Sequence, residues 1–163
     1  MTKVRLLLPF TYGVRTDALE YAVLMAQSRN AILVPLSLIN ERGGKGARLE
    51  DIQQSRDFLA AIGHKALKHG VEIEPKEVYT TDAVATIGEY LRTTYCDGLL
   101  LLVEKGKGVL LQTIEIKHVI ASVSSQIHII RMQCEPDGIS EGGFMARLAQ
   151  IVNRGRAKQL VQA

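Results

Sequence analysis

Five consecutive apolar residues, Leu99 to Val103, most limit what this chain can fold into. They follow an Asp97-Gly98 turn and run straight into Glu104-Lys105-Gly106-Lys107-Gly108. The run has no polar face, so as a strand it must be covered on both sides. A strand covered on both sides belongs inside a layered α/β sheet, and the loop at its carboxyl end is where such a sheet binds its ligand.

The rest of the chain supplies the layers. Val4 to Pro9 reads as a first strand that leaves through Phe10-Thr11-Tyr12-Gly13. Thr16 or Asp17 can cap a helix in which Leu19, Ala22, Val23 and Ala26 recur at helical spacing. Ala31 to Ile39 is a second apolar run, and Pro35, which lacks a ladder donor, predicts a bulge or irregular stretch within it. The polar, glycine-rich Glu41 to Gly46 segment has no strand-to-helix turn of P-loop spacing around it and reads as a mobile loop.

A longer helix is expected from about Leu49 to His69, with Ile52, Leu59, Ile62 and Ala66 buried and Gly70 as its stop. Pro75 confines the strand in Val71 to Thr80 to a sheet edge. Asp82 caps a third helix carrying Val84, Ile87 and Leu91. Thr113 caps a fourth, whose Ile116, Val119, Ile120 and Val123 share a face. The last strand is Gln126 to Met132.

Strands alternating with helices mean parallel strands joined by right-handed crossovers. The fold class is therefore α/β: a doubly wound, open, parallel five-stranded sheet with helices on both faces. The apolar strands belong in the middle and the Pro75 strand at an edge, which the spatial order 3-2-1-4-5 satisfies. That order reverses between the first and fourth strands and places a crevice between Phe10–Gly13 and Lys105–Gly108. The candidate ligand residues are Phe10, Thr11, Tyr12, Gly13, Leu38, Gly106, Lys107, Gly108 and Thr113. For Lys105–Gly108 two readings stand side by side, an anion-binding loop and a solvated connection.

Composition excludes several function classes. A net charge of +3, with basic residues scattered among acidic ones and only three Phe and five Tyr, argues against nucleic acid. No apolar run approaches the roughly 20 residues of a membrane helix, and the amino-terminal segment reads as a strand rather than a signal peptide. Cys96 and Cys134 have neither metal-ligand nor redox spacing, which points to reduced cysteines in a cytoplasmic protein. His118 and His128 lack a second ligand at useful spacing, so no metal site is expected, and His64 and His69 read as solvent-facing. The topology gathers no Ser/His/Asp or Cys/His set, so no hydrolase is expected.

The α/β domain is expected to span 1–132, with 133–163 as a carboxyl-terminal extension. In that extension Phe144, Leu148, Ile151 and Val152 share one helical face, while Arg147, Arg154, Arg156 and Lys158 populate the rest. Packing on its own domain is the first reading of this basic amphipathic helix. Docking on a protein partner or an anionic membrane is the other.

The segments VRLLLPF, ALEYAVLMA, YTTDAVATIGEYL and CDGLLLLV, in this order and spacing, resemble the universal stress protein family over roughly Lys3 to Arg131. The resemblance implies a doubly wound domain, commonly a homodimer, with one branch that binds ATP at the crevice and one that does not. In the ATP-binding branch an acidic residue follows the first strand, and Thr11 stands at the matching position. The branch's phosphate loop is matched only by Gly106 and Gly108, and its Gly-Ser helix start aligns with about Ile114-Glu115. A carboxylate in the first turn repels the anion that a helix amino terminus would otherwise attract.

The family's dimer pairs the outer edge of the last strand, here Gln126, Ile127, His128, Ile129, Ile130, Arg131 and Met132. The expected function is a non-enzymatic, homodimeric stress-response or signalling module with a degenerate nucleotide crevice and no required cofactor. Two alternatives stand beside it: a sensor or slow ATPase binding ATP or another adenine nucleotide, and a regulatory domain associated with a membrane transporter.

Overall fold

The computed structural model describes residues 3–123 and the backbone of a strand at 128–133. Ten elements follow one another: β1 (Arg5–Phe10), α1 (Thr16–Ser28), β2 (Ile32–Asn40), α2 (Leu49–His69), β3 (Lys76–Thr80), α3 (Ala83–Thr93), β4 (Gly98–Glu104), β5 (Lys107–Val109), α4 (Thr113–Ser122) and β6 (His128–Gln133). The parallel strands lie in the order β3-β2-β1-β4-β6, the expected doubly wound arrangement with the last strand beside β4.

Alternation along the strands divides the core into two layers. Leu6, Leu8, Phe10, Leu100 and Leu102 face α1 and α2, and the Phe10 ring stacks on Phe58 of α2 with centroids 4.3 Å apart. Leu7, Val34, Leu36, Leu38, Leu99, Leu101 and Val103 face α3 and α4, where Ile87, Leu91, Ile116 and Val119 meet them. Leu99 to Val103 are all buried, as a run without a polar face requires.

The two prolines have different consequences. Ile32 N–H donates to the Val4 carbonyl and Leu33 N–H to that of Glu72, so odd-numbered residues of β2 point their amides towards β3. Pro35 therefore lacks its donor on the β3 side, opposite Pro75 in the continued register and just before β3 begins. β2 stays regular through Pro35, which pairs with Leu8, so the expected bulge is absent. Pro75 stands immediately before the edge strand β3, as expected.

Several local expectations are corrected. In α2 the buried residues are Ser55, Phe58, Ile62 and Ala66, while Ile52 and Leu59 are only partly covered. The face is rotated because Ser55 is satisfied inside: the Ser37 and Ser55 hydroxyls lie 2.6 Å apart, and Ser55 donates to Glu77 at 2.6 Å. His69 is not solvent-facing but lies 2.7 Å from Glu20, which Lys65 also reaches at 3.0 Å. Burial pushes the Glu20 carboxyl up, yet Lys65 and His69 together hold it below its ordinary range.

Arg15, rather than Thr16 or Asp17, occupies the position before α1 and makes no side-chain cap. Asp82 caps α3 as expected, accepting from Ala85 N–H at 3.1 Å. Gly70 closes α2 in the left-handed conformation, φ 67°.

The largest correction concerns Lys105–Gly108. Lys105 (φ 50°) and Gly106 (φ 78°) both adopt left-handed backbone and form a two-residue hairpin turn. The turn folds β5 back antiparallel on β4, pairing Glu104 with Lys107 and Leu102 with Val109. The sheet is thus mixed, with one short antiparallel strand added to the five parallel ones. Gln126, Ile127 and the extension from 134 onward lie outside the described residues.

Candidate functional site

β1 and β4 pair directly only at Leu6–Gly98 and Leu7–Leu99. Beyond that point they part, as strands do at a switch point, and a crevice would open between them. Here the chain leaving β5 crosses the gap. Leu110, itself at φ 71°, accepts from Thr11 N–H at 2.8 Å and from Tyr12 N–H at 3.3 Å. The crossing divides the space into two clefts that share Tyr12.

The first cleft, of about 350 Å³, lies at the carboxyl ends of β1, β2 and β3. Thr11, Tyr12, Leu38, Asn40, Ala83 and Val84 line it together with Gln112 and the carboxylates of Asp51, Asp82 and Glu115. Its one guanidinium, Arg48, is 2.9 Å from Glu50 and 3.0 Å from Asp51. The second cleft, of about 460 Å³, contains Gly13, Val14, Arg15, Glu104, Lys105, Lys107 and Gly108. Arg15 is bound to both Asp17 and Glu104, and its hydrogen bond to Asp17 is the chief reason that its pKa is raised.

The amino terminus of α4 is filled from within. One oxygen of Glu115 accepts from Gln112 N–H at 2.8 Å and from the Thr11 hydroxyl at 2.8 Å. Gln112 in turn accepts from the Glu115 amide, completing a capping box. Gln112, not Thr113, is therefore the cap. The Thr113 hydroxyl accepts from Gly108 N–H at 2.9 Å. Gly108 is held tightly: a Cβ there would fall 2.4 Å from the Leu111 carbonyl oxygen and 3.0 Å from the Thr113 nitrogen.

The nine candidate ligand residues are thus dispersed. Thr11, Tyr12 and Leu38 line the first cleft, and Tyr12, Gly13, Lys107 and Gly108 line the second. Gly106 sits exposed in the hairpin turn, and Phe10 is buried against Phe58. Asn40, Asp51 and Gln112 have no role in the sequence reading, and Asp82 figures there only as a helix cap. The strand-end and helix-start positions of Asn40 and Asp82 were the signal that could have found them. Gly13 N–H donates to Gln54 at 2.9 Å, which ties the β1–α1 turn to α2.

Cys96 is buried, and burial pushes its thiol up, which suits an unreactive core position. Among the described residues no group of three or more His, Cys, Asp or Glu is placed to hold a metal ion, and no helix is long and apolar enough to cross a membrane.

The fold has clear counterparts among solved structures. The universal stress protein of Archaeoglobus fulgidus superimposes with a TM-score of 0.63 at 15% identity, over 78% of this chain and 92% of that one. A protein of the universal stress protein family from Burkholderia pseudomallei gives 0.60 at 15%, over 80% and 96%. The chain has the universal stress protein fold. The Archaeoglobus fulgidus protein in complex with dAMP matches that fold at 0.59 and 16% identity, over 80% of this chain and 98% of its own. Identities this low carry the fold and not the ligand. No protein-family model and no curated protein matches the sequence.

Proposed function

We propose that this chain is a non-enzymatic stress-response or signalling module that works as a homodimer and has lost its grip on triphosphates. The reading rests above all on Glu115, whose carboxylate takes the α4 amino terminus and the Thr11 hydroxyl. A helix start offers unpaired amides and partial positive charge to a phosphate. Here the Glu115 carboxylate takes Gln112 N–H, the Gln112 side chain takes the Glu115 amide, and an internal negative charge already stands in the first turn. Gly108, the other candidate phosphate contact, has its N–H committed to Thr113. Dimerisation through the outer edge of β6, and recruitment of a protein partner by the dimer surface and the carboxyl-terminal extension, complete the proposal.

Calorimetric titration with ATP and native mass spectrometry of gently purified protein test it. No co-purified nucleotide and no measurable ATP binding are expected, with tightening by about tenfold or more in Glu115→Ser as the carboxylate is removed. Bound adenine nucleotide in the purified protein would instead support the nucleotide-sensor reading, which the dAMP complex of the Archaeoglobus fulgidus protein favours. Sedimentation at micromolar concentration should show a dimer, and a monomer alone would remove that part of the proposal. Flotation with anionic liposomes tests the transporter-linked alternative, whose only support is the basic extension.

A further inference from the structure

The two faces of the sheet are covered unequally. The crossovers α1 and α2 join β1 to β2 and β2 to β3, so on their face both are laid towards the β3 edge. On the opposite face α4 joins the β4–β5 hairpin to β6. Among the described residues, the α1 side of β4 and β6 therefore has no crossover helix of its own. The register brings Ile130 level with Leu100 and Met132 level with Leu102, on this side of the sheet. Arg131 and Gln133 are level with Leu101 and Val103, on the other.

Helix α1 is nevertheless buried on the flank that faces this gap. Glu20 reaches Lys65 and His69 of α2, and Gln27 donates to the His69 carbonyl at 3.0 Å, which marks the flank turned to α2. Tyr21 stands about 100–120° further round the helix, turned away from α2 and towards β4. It is 1% exposed, and Met25, one turn on, 0%. The buried residues of α1 span about 200° of its circumference, against a stripe of about 100° or a little more for a helix with one apolar face. A neighbour on each flank accounts for such an arc, and α2 supplies only one.

The chain beyond β6 has the length and pattern to supply the other. It leaves the sheet at Gln133, at the carboxyl end of β6, and continues to 163. Residues 134–139, with their Pro136-Asp137-Gly138 turn, have the length of an ordinary strand-to-helix connection. From Ser140 to Arg154 a helix rises about 21 Å, and the six residues of β6 cover about 20 Å. Phe144, Leu148, Ile151 and Val152 recur at the spacing of one face. A helix starting at the carboxyl end of β6 and running back along it is parallel to α1. Counted from the two starts, Phe144 then comes level with Tyr21 and Leu148 with Met25.

We propose that residues 140–154 form a further helix that lies beside α1 over β4 and β6 of its own chain, with Phe144 against Tyr21 and Leu148 against Met25. The docking goes beyond the function proposed above: it takes up the apolar face of the extension and leaves its basic residues as the part a partner meets.

The chain contains no tryptophan, so Phe144→Trp in the full chain supplies a single reporter. Its emission is expected to be blue-shifted from that of free tryptophan and to stay so on dilution from micromolar to nanomolar protein. Added Tyr21→Ala should move the emission to the red, whereas Val23→Ala, on the α2 flank, should leave it unchanged. Circular dichroism checks that both are folded. Hydrogen exchange of the unsubstituted chain needs neither variant, and the amides of 144–152 should exchange about tenfold or more slower than in an unstructured peptide. Emission like that of free tryptophan, or exchange at the unstructured rate, would overturn the proposal. So would a blue shift lost on dilution, which assigns the face to a second copy, or one gained only with vesicles of anionic lipid, which assigns the helix to a membrane. Equal responses to Tyr21→Ala and Val23→Ala would also overturn it, because the helix would then lie elsewhere.

Discussion

The two clefts beside Tyr12 are neighbours with opposite character. One is lined by Asp51, Asp82 and Glu115 with a single, engaged arginine. The other is lined by Arg15, Lys105 and Lys107 with a single carboxylate, Glu104, that Arg15 binds. A triphosphate reaching across the switch point would need both spaces as one. The backbone bonds from Thr11 and Tyr12 to Leu110 stand between them. The comparison teaches that backbone alone can part the space at a switch point into two clefts of opposite charge. A hairpin of two left-handed residues, Lys105 and Gly106, is enough to send the following chain through the gap.

Both clefts depend on the same footing, so the largest expected effect is common to them. Phe10 ends β1 beneath Thr11 and is stacked on Phe58. Phe58→Ala should cost about 3–5 kcal/mol by removing a fully buried ring. Denaturant unfolding measures it, and a loss under about 1 kcal/mol would show that the stack is not what fixes the β1 end. Next comes the divider. Gly108→Ala places a methyl against the Leu111 carbonyl and the Thr113 nitrogen, backbone atoms that cannot rotate away. A loss of about 1–3 kcal/mol is expected, with a matching fall in midpoint. Unchanged stability would mean that the hairpin swings freely and that the clefts are not held apart.

How far the sequence reveals this arrangement differs between the layers and the site. The parallel strand order follows from hydrophobic runs and from Pro75, because burial on two faces and a missing donor leave few placements. The Asp82 cap is legible for the same local reason. Phe58 escapes because its helix face includes Ser55, a polar residue satisfied by Ser37 and Glu77 from other elements. The hairpin escapes because Lys-Gly lacks the Asn-Gly or Asp-Gly signal of a two-residue turn. Thr113 looks the better cap than Gln112 until Gly108 is seen to use its hydroxyl. Apart from the hairpin, what fails to read locally is a side chain whose partner lies in another element.

In the acidic cleft, Glu115→Ala removes the acceptor shared by Gln112 N–H and Thr11, and about 0.5–2 kcal/mol should be lost. Thr11→Val keeps the capping box and should cost less; equal losses would assign the contribution to Thr11 rather than to the helix start. In the basic cleft the corresponding probe is acid. Burial raises the Asp17 carboxyl, but hydrogen bonds and charge from Arg15 outweigh this and hold it below its ordinary value. A carboxyl depressed in the folded state adds stability above its unfolded pKa, near 3.9, and that stability is lost as pH falls through the folded value. Arg15→Met should therefore flatten the acid limb of the stability–pH curve below about pH 4. An unaltered limb would place the acid sensitivity elsewhere, with Glu20 and Glu74 as the other carboxyls held low.

The smallest effect is expected at the residues that look most like an anion site. Lys105 and Lys107 are exposed, and neither side chain makes a hydrogen bond or ion pair to another described residue. The hairpin they flank is held by backbone pairing of β4 with β5, which does not depend on side-chain charge. Lysine ammonium groups are strongly hydrated point charges, and two of them on a solvated turn attract phosphate only weakly at physiological salt. The pair Lys105→Ala/Lys107→Ala should thus leave stability within about 0.5 kcal/mol and produce no change in phosphate titration heats. Phosphate binding to the parent chain that disappears in this pair would reverse the comparison, because the basic cleft would then be the occupied site.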